Sequence, residues 1–248
     1  MKACSKCGAS NPAGARFCNA CAAALGEGGG QTPHAGRPGP RPGVGGRMAD
    51  IMFVLDCTSS MQAEIYTMRD TILNFADSIE SEGVRARVGL VAFRDRLIGE
   101  EHQVLTFDGQ PFTSDPAAFR EKVSKLRAGG GGDIPESSLD ALMAALQQPF
   151  GADVSKVVVL ITDAPPHIPD KNTRGIDDVI AEMKKVAISQ LYLVFPTEDP
   201  GCQVFLRLLE GARGLAFNLG EGDDFKKREA DFRRTLMSLG RTILQATR

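Results

Sequence analysis

The sequence has no apolar run approaching the ~18 residues that a membrane-spanning helix requires. It also lacks a charge excess: 29 Lys and Arg against 31 Asp and Glu leave a formal net charge of −2. No general basic field results, which argues against bulk nucleic-acid binding. The opening Met1-Lys2-Ala3-Cys4-Ser5-Lys6-Cys7 has no apolar core of a secretory signal, so the expected address is cytoplasmic. Histidine is scarce. His34 falls in a Gly/Pro-rich stretch, while His102 and His167 have no second partner at ligand or triad spacing. Both are expected on loops or the surface. The glycine run 129–132 is followed by Asp133-Ile134-Pro135 rather than Lys-Ser or Lys-Thr, so it is not a phosphate-binding loop.

What is present falls into three parts. Cys4-x-x-Cys7 and Cys18-x-x-Cys21 are separated by ten turn-rich residues. Two such pairs let four thiolates close a tetrahedral Zn2+ site, and a segment this short would draw its folding free energy from the metal. These residues, with Ala15-Arg16-Phe17, resemble the small zinc-ribbon domains at the N-terminus of many bacterial proteins, over about the first 25 residues. A structural or docking role is expected of this segment. A nucleic-acid role would rest on Lys2, Lys6 and Arg16, with Phe17 as a lone stacking residue. Residues 26–47 are dominated by Gly and Pro, have no apolar periodicity, and read as a flexible linker.

Residues 48–248 alternate strand-like and helix-like segments, the pattern of a parallel-sheet α/β domain. Ile51-Met52-Phe53-Val54-Leu55 reads as a strand buried on both faces, and Val157-Val158-Val159-Leu160-Ile161 reads the same way. The first ends in Asp56-Cys57-Thr58-Ser59-Ser60, the second in Thr162-Asp163. Asp56, Thr58 and Ser60 are hard oxygen donors crowded on one strand-to-helix turn, a seat for Mg2+, Mn2+ or Ca2+. The plainer reading makes Ser59 a helix N-cap, with Gln62 completing a capping box. Cys57 and Cys202 lie in apolar surroundings and are expected to be buried core residues. His102–Phe107 is expected as a short edge strand, and helices are expected from about 115–127, 135–148, 176–187 and 202–211.

Three loops then stand together: Asp56-x-Thr58-x-Ser60, Gly131-Gly132-Asp133-Ile134-Pro135-Glu136, and Thr162-Asp163. With Val88-Gly89-Leu90-Val91-Ala92-Phe93-Arg94-Asp95 they resemble the von Willebrand factor type A domain and its metal-ion-dependent adhesion site. The resemblance implies a doubly wound, mostly parallel sheet with helices on both faces and one short antiparallel edge strand. It places Asp56 and Asp163 at the carboxyl ends of adjacent central strands. It also implies a divalent cation held by Asp56, Thr58, Ser60 and Asp163, with an open position that a protein partner's acidic side chain completes.

The second loop departs from the family pattern. A threonine ligand usually precedes the Asp, and here that position is Gly132. Either water fills the place or Asp133 turns inward as a ligand. Asp133 and Glu136 also have the spacing of a capping box on a helix opened by Pro135. Two further readings stay in view. One is the same fold as a scaffold with a dead metal site. The other is a phosphohydrolase of the haloacid dehalogenase type, with Asp56 as nucleophile, Thr162 on phosphate, Lys184 or Lys185 as the cation, and Asp223-Asp224 on Mg2+. In that second reading Thr58 would stand where a general acid is needed, and a hydroxyl is a poor one at neutral pH.

Overall fold

A computed structural model describes residues 2–3, 10–11, 48–67, 85–132 and 134–219, with residues 227, 230, 231, 234, 235, 238, 242 and 243. The chain divides into two compact units, Met1–Val44 and Gly45–Arg248. In the first, Lys2–Ala3 pairs antiparallel with Ser10–Asn11, Lys2 opposite Asn11 and Ala3 opposite Ser10. Cys4, Cys7, Cys18, Cys21, the linker and Asp133 lie outside the described residues.

The second unit is built on six strands: β1 (Met48–Asp56), β2 (Arg85–Phe93), β3 (Gln103–Val104), β4 (Ser155–Ile161), β5 (Gln190–Phe195) and β6 (Arg213–Asn218). Their order is β3-β2-β1-β4-β5-β6, parallel throughout except for the antiparallel edge strand β3. The chain winds outward from β1 on one side through β2, then returns to β1's other side with β4. The carboxyl ends of β1 and β4 therefore flank the point where the strand order reverses, where a crevice opens between the diverging connections.

β1 is central because its side chains feed two cores by strand alternation. Ile51, Phe53 and Leu55 join one apolar cluster with Phe119, Val123 and Tyr192. Met52 and Val54 join the other with Leu139, Leu142, Val179 and Met183. The helices covering the sheet include α1 (Pro116–Ser124), α2 (Ser138–Leu146) and α3 (Ile176–Val186). Asp115 caps α1, its carboxylate accepting from the Ala117 amide at 2.8 Å, with Pro116 at the first turn. Cys57 and Cys202 are fully buried, as expected. Among the described residues no helix is long and apolar enough to cross a membrane.

At the amino end of β1, Asp50 is fully buried and stands in register with Arg87 on β2. Arg87 grips it through Nε at 2.8 Å and Nη2 at 2.6 Å, and the Gly151 amide adds a third bond at 2.7 Å. Arg87 also lies over the Phe112 ring, 5.2 Å from its centroid.

Several local expectations are corrected. The edge strand spans two residues, because Leu105 adds only one backbone bond, to Leu90, before the chain turns at residues 107–110. Cys202–Glu210 is 3-10 rather than α-helical. The helix after the glycine run starts at Ser138, not Pro135. Glu136 is held extended: its N–H donates to Pro165 O, and its carbonyl accepts from His167 N, each at 3.0 Å. That bridge to the loop after β4 takes up the backbone groups a helical turn would need, so Glu136 closes no capping box. The Ser59–Gln62 box does not form either. Thr58 occupies the N-cap position without a side-chain cap bond, and Ser59 Oγ instead donates to Gly130 O at 2.9 Å.

Candidate metal centre

β1 ends on Asp56, whose carboxylate is wholly buried yet bonded at both oxygens. Oδ1 accepts from the Thr58 amide at 2.9 Å and the Thr58 hydroxyl at 2.6 Å. Oδ2 accepts from Thr162 Oγ1 at 2.7 Å, one residue past the end of β4. The set continues outward, with Thr58 Oγ1 and Ser60 Oγ 3.3 Å apart and Ser60 Oγ donating to Asp163 Oδ1 at 3.0 Å. Asp56, Thr58, Ser60 and Asp163, expected together from the sequence, thus form one connected string of oxygens across the crevice. Two carboxylates and two hydroxyls match what a hard divalent cation takes from protein, with waters completing the shell. Among the described residues no group of three His, Cys, Asp or Glu side chains is placed to hold a metal.

Electrostatically the crevice is acidic and unbalanced. Burial, partly offset by the bonds from Thr162 and Thr58, pushes the Asp56 carboxyl up to about 6. Glu136, whose spacing from Asp133 is that of a capping box, is buried, and its Oε2 has no hydrogen-bond partner. Burial first, then the charges of Asp56, Asp95, Glu100 and Asp163, push its carboxyl up to about 8. Asp95 is buried too, its Oδ1 shared by the Leu97 amide at 2.8 Å and His167 Nε2 at 3.2 Å, with Oδ2 unpartnered. His167 therefore has a partner that its spacing in the sequence did not reveal.

The glycine run closes one wall. Gly129 N donates to Cys57 O at 3.0 Å, Ser59 N to Gly130 O at 3.2 Å, and Gly131 N to Glu100 Oε2 at 2.9 Å. Arg94 ties the same loop down, its Nε 2.5 Å from Gly129 O and its Nη2 2.9 Å from Arg127 O. A Cβ at Gly132 would stand 3.2 Å from the Ile98 side chain. A Cβ at Gly131 would sit 2.8 Å from Glu136 Oε1 and 3.1 Å from Thr58 Cβ. Gly131 thus packs against Thr58 and Glu136, and it holds a φ of +74°. Gly131→Ala should cost about 1–3 kcal/mol in urea unfolding from backbone strain plus collision. Gly99→Ala, at a φ of +90° with nothing within 4 Å, carries the strain alone and should cost less.

The sequence profile of the von Willebrand factor A domain matches residues 50–201, the span that carries all three loops. The chain belongs to the von Willebrand factor A domain family. The zinc-ribbon domain profile matches residues 4–25, the segment with both cysteine pairs. Among curated relatives, the chain is similar to the alpha-protein kinase vwkA of Dictyostelium discoideum, 27% identical over 120 residues. It is also similar to hemicentin-2 of Mus musculus, 26% identical over 178 residues, and to von Willebrand factor A domain-containing protein 7 of Rattus norvegicus, 33% identical over 120 residues. These alignments take in 48%, 69% and 48% of this chain but only 19%, 3% and 12% of the relatives' lengths. Of solved structures, a von Willebrand factor type A protein from Catenulispora acidiphila matches with a TM-score of 0.53 at 17% identity, covering 77% of this chain and 42% of that one. The pilus adhesin SpaC from Lactobacillus rhamnosus GG matches with a TM-score of 0.51 at 17% identity, covering 80% of this chain and 30% of its own. At these identities the structural matches establish the fold.

Of the residues the phosphohydrolase alternative needs, the described lysines lie far from Asp56 along the sheet. Lys184 and Lys185 lie in the last turn of α3. That turn ends where Lys156 Nζ reaches Val186 O at 2.8 Å, beside the start of β4. The lysines thus stand at the amino edge of the sheet, opposite Asp56. Asp223 and Asp224 lie outside the described residues.

Proposed function

We propose that this protein is a non-enzymatic interaction module whose A domain binds a protein partner through a divalent cation, Mg2+ or Mn2+. The cation is held by Asp56, Thr58, Ser60 and Asp163. The observation that carries this reading is the continuous oxygen string from Asp56 to Asp163 at the reversal of strand order. Four large aliphatic side chains, Leu97, Ile98, Ile134 and Ile168, are exposed on the connections after β2, before α2 and after β4. Exposed apolar side chains beside a charged seat favour a protein partner over a small ion alone. A partner acidic side chain completing the cation's shell remains part of this proposal, as does Asp133 as a further ligand. The segment with Cys4, Cys7, Cys18 and Cys21 is proposed to bind Zn2+ and to act as a structural or docking element. The kinase relative's activity belongs to that protein, of which this chain spans less than a fifth.

The test uses the full chain, because thiolates are poor ligands for Mg2+ and leave its titration unclouded. Calorimetric titration with Mg2+ should show saturable binding that Asp56→Ala removes. A partner retained from soluble extract should be released by chelator and lost with the same variant. A partner held equally well with or without the cation would favour the scaffold reading and overturn this one.

A further inference from the structure

We propose that the cleft at the amino ends of β4, β5 and β6 binds a small monocarboxylate with an aliphatic body. It lies at the foot of the sheet, opposite the Asp56 crevice, and stands independently of the cation-dependent reading.

The site is built by strand register. Ser155, Gln190 and Arg213 are the first residues of β4, β5 and β6. Gln190 stands opposite Arg213, and Tyr192 stands opposite Leu215. Registered partners, and residues two apart on a strand, share one face of the sheet, so these side chains form a two-by-two patch. Its outer row, Gln190 and Arg213, is polar, and its inner row, Tyr192 and Leu215, is apolar. Phe217 continues the inward direction, its ring centroid 6.3 Å from that of Tyr192. With Ser155 and Ser189 the patch lines a cleft of about 620 Å3, within the range that takes small organic ligands.

The rim sets the charge of the ligand. Gln190 is only 5% exposed, and its Oε1 accepts from the Tyr192 hydroxyl at 2.7 Å. That bond fixes the amide and leaves its NH2 group as donor, with no acceptor among the described residues. Ser189 Oγ accepts from the Lys156 amide at 3.2 Å, which leaves its own hydrogen to donate. Arg213 is exposed, and among the described residues no carboxylate pairs with it and no acidic side chain lines the cleft. One guanidinium flanked by neutral donors balances a single negative charge, and its planar fork matches a carboxylate.

The floor sets the body. Leu215 is 51% exposed, although the Tyr192 and Phe217 side chains of the same face pack into the core. An aliphatic side chain left half open in an apolar row is stabilised by whatever covers it. Residues two apart on a strand are about 6.6 Å apart, so a chain of about six to eight carbons reaches from Arg213 past Leu215.

The experiment is calorimetric titration of the full chain with octanoate, kept below its micelle concentration, against acetate and octylamine. Octanoate should bind saturably, acetate at least about tenfold more weakly for want of the tail, and octylamine not at all. Arg213→Ala and Leu215→Asp should each weaken octanoate at least about tenfold. Arg213 is exposed and unpaired among the described residues, so the thermal midpoint of Arg213→Ala should stay at the wild-type value. No saturable octanoate binding to the wild type would overturn the site. So would octylamine binding as tightly as octanoate. Octanoate affinity unchanged in Arg213→Ala would also overturn it, marking apolar uptake without a carboxylate seat.

Discussion

Raising the pH from 5 to 8 without divalent cation is expected to lower the thermal midpoint of the larger unit, and adding Mg2+ is expected to abolish most of that loss. The direction follows from the two buried acids of the crevice. Folding raises the Glu136 carboxyl from 4.5 to about 8 and the Asp56 carboxyl from 3.8 to about 6. An acid whose pKa is raised by folding is protonated in the folded chain while it is ionised in the unfolded one. Its stabilising contribution is full below the unfolded value and disappears as the pH climbs through the folded one. The Asp56 contribution therefore fades between about pH 4 and 6, and that of Glu136 between about pH 4.5 and 8. The two acids repel each other, so their effects do not add, and a net loss on the order of a few kcal/mol is expected. For a unit of this size that corresponds to roughly 5–15 °C. His102, whose pKa burial lowers from 6.5, works in the opposite direction below that pH and flattens the acid end of the curve. Mg2+ gives both carboxylates a counter-charge, so its stabilisation should be large at pH 8 and small at pH 5, following the population of ionised sites. Circular dichroism melts at pH 5, 6.5 and 8, with chelator or with Mg2+, check this. A midpoint that rises with pH in chelator would contradict it.

The second large effect lies at the other end of β1. Arg87→Ala leaves the fully buried Asp50 carboxylate with the Gly151 amide as its remaining partner and removes the stack on Phe112. Stripping one member from a buried pair typically costs 3–5 kcal/mol, and about that loss is expected in urea unfolding. Asp50→Ala should cost less, because the Arg87 side chain is 38% exposed and its guanidinium can turn to water. The double variant should fall well short of the sum, since removing both partners leaves no orphaned charge. Equal and additive losses would mean that the pair contributes packing rather than charge compensation.

The frame of this domain was readable from sequence because its two central strands announce themselves. Five apolar residues in a row at 51–55, and again at 157–161, fit little except a strand buried on both faces. Asp56, Thr58 and Ser60 followed from their place at a strand end, and Asp163 from the resemblance, since 103 residues separate it from Ser60. Glu136 escaped. Asp133-x-x-Glu136 has capping-box spacing whether or not the chain turns into a helix there, and what prevents the helix is a bridge to Pro165 and His167, about 30 residues downstream. Spacing does not reveal which way a glycine faces, so the surroundings of Gly131 and Gly132 needed the structure. Gly131 has a positive φ, and Glu100 and Cys57 hold its loop through the Gly131 and Gly129 amides. The Asp50–Arg87 pair likewise needed the strand register, which no local pattern encodes.

The bridge at Glu136 has a kinetic consequence. The amide of Glu136 bonds into one loop and the amide of His167 bonds back, so neither hydrogen can reach solvent until the two loops part. Those two amides should exchange with deuterium at matched rates, as a single clock for opening of the crevice. The string of oxygens and the bridge share the loop after β4, so Mg2+ bound as proposed should slow that clock. Two backbone hydrogens thus report, without any label near the oxygens, how long the cleft stays shut.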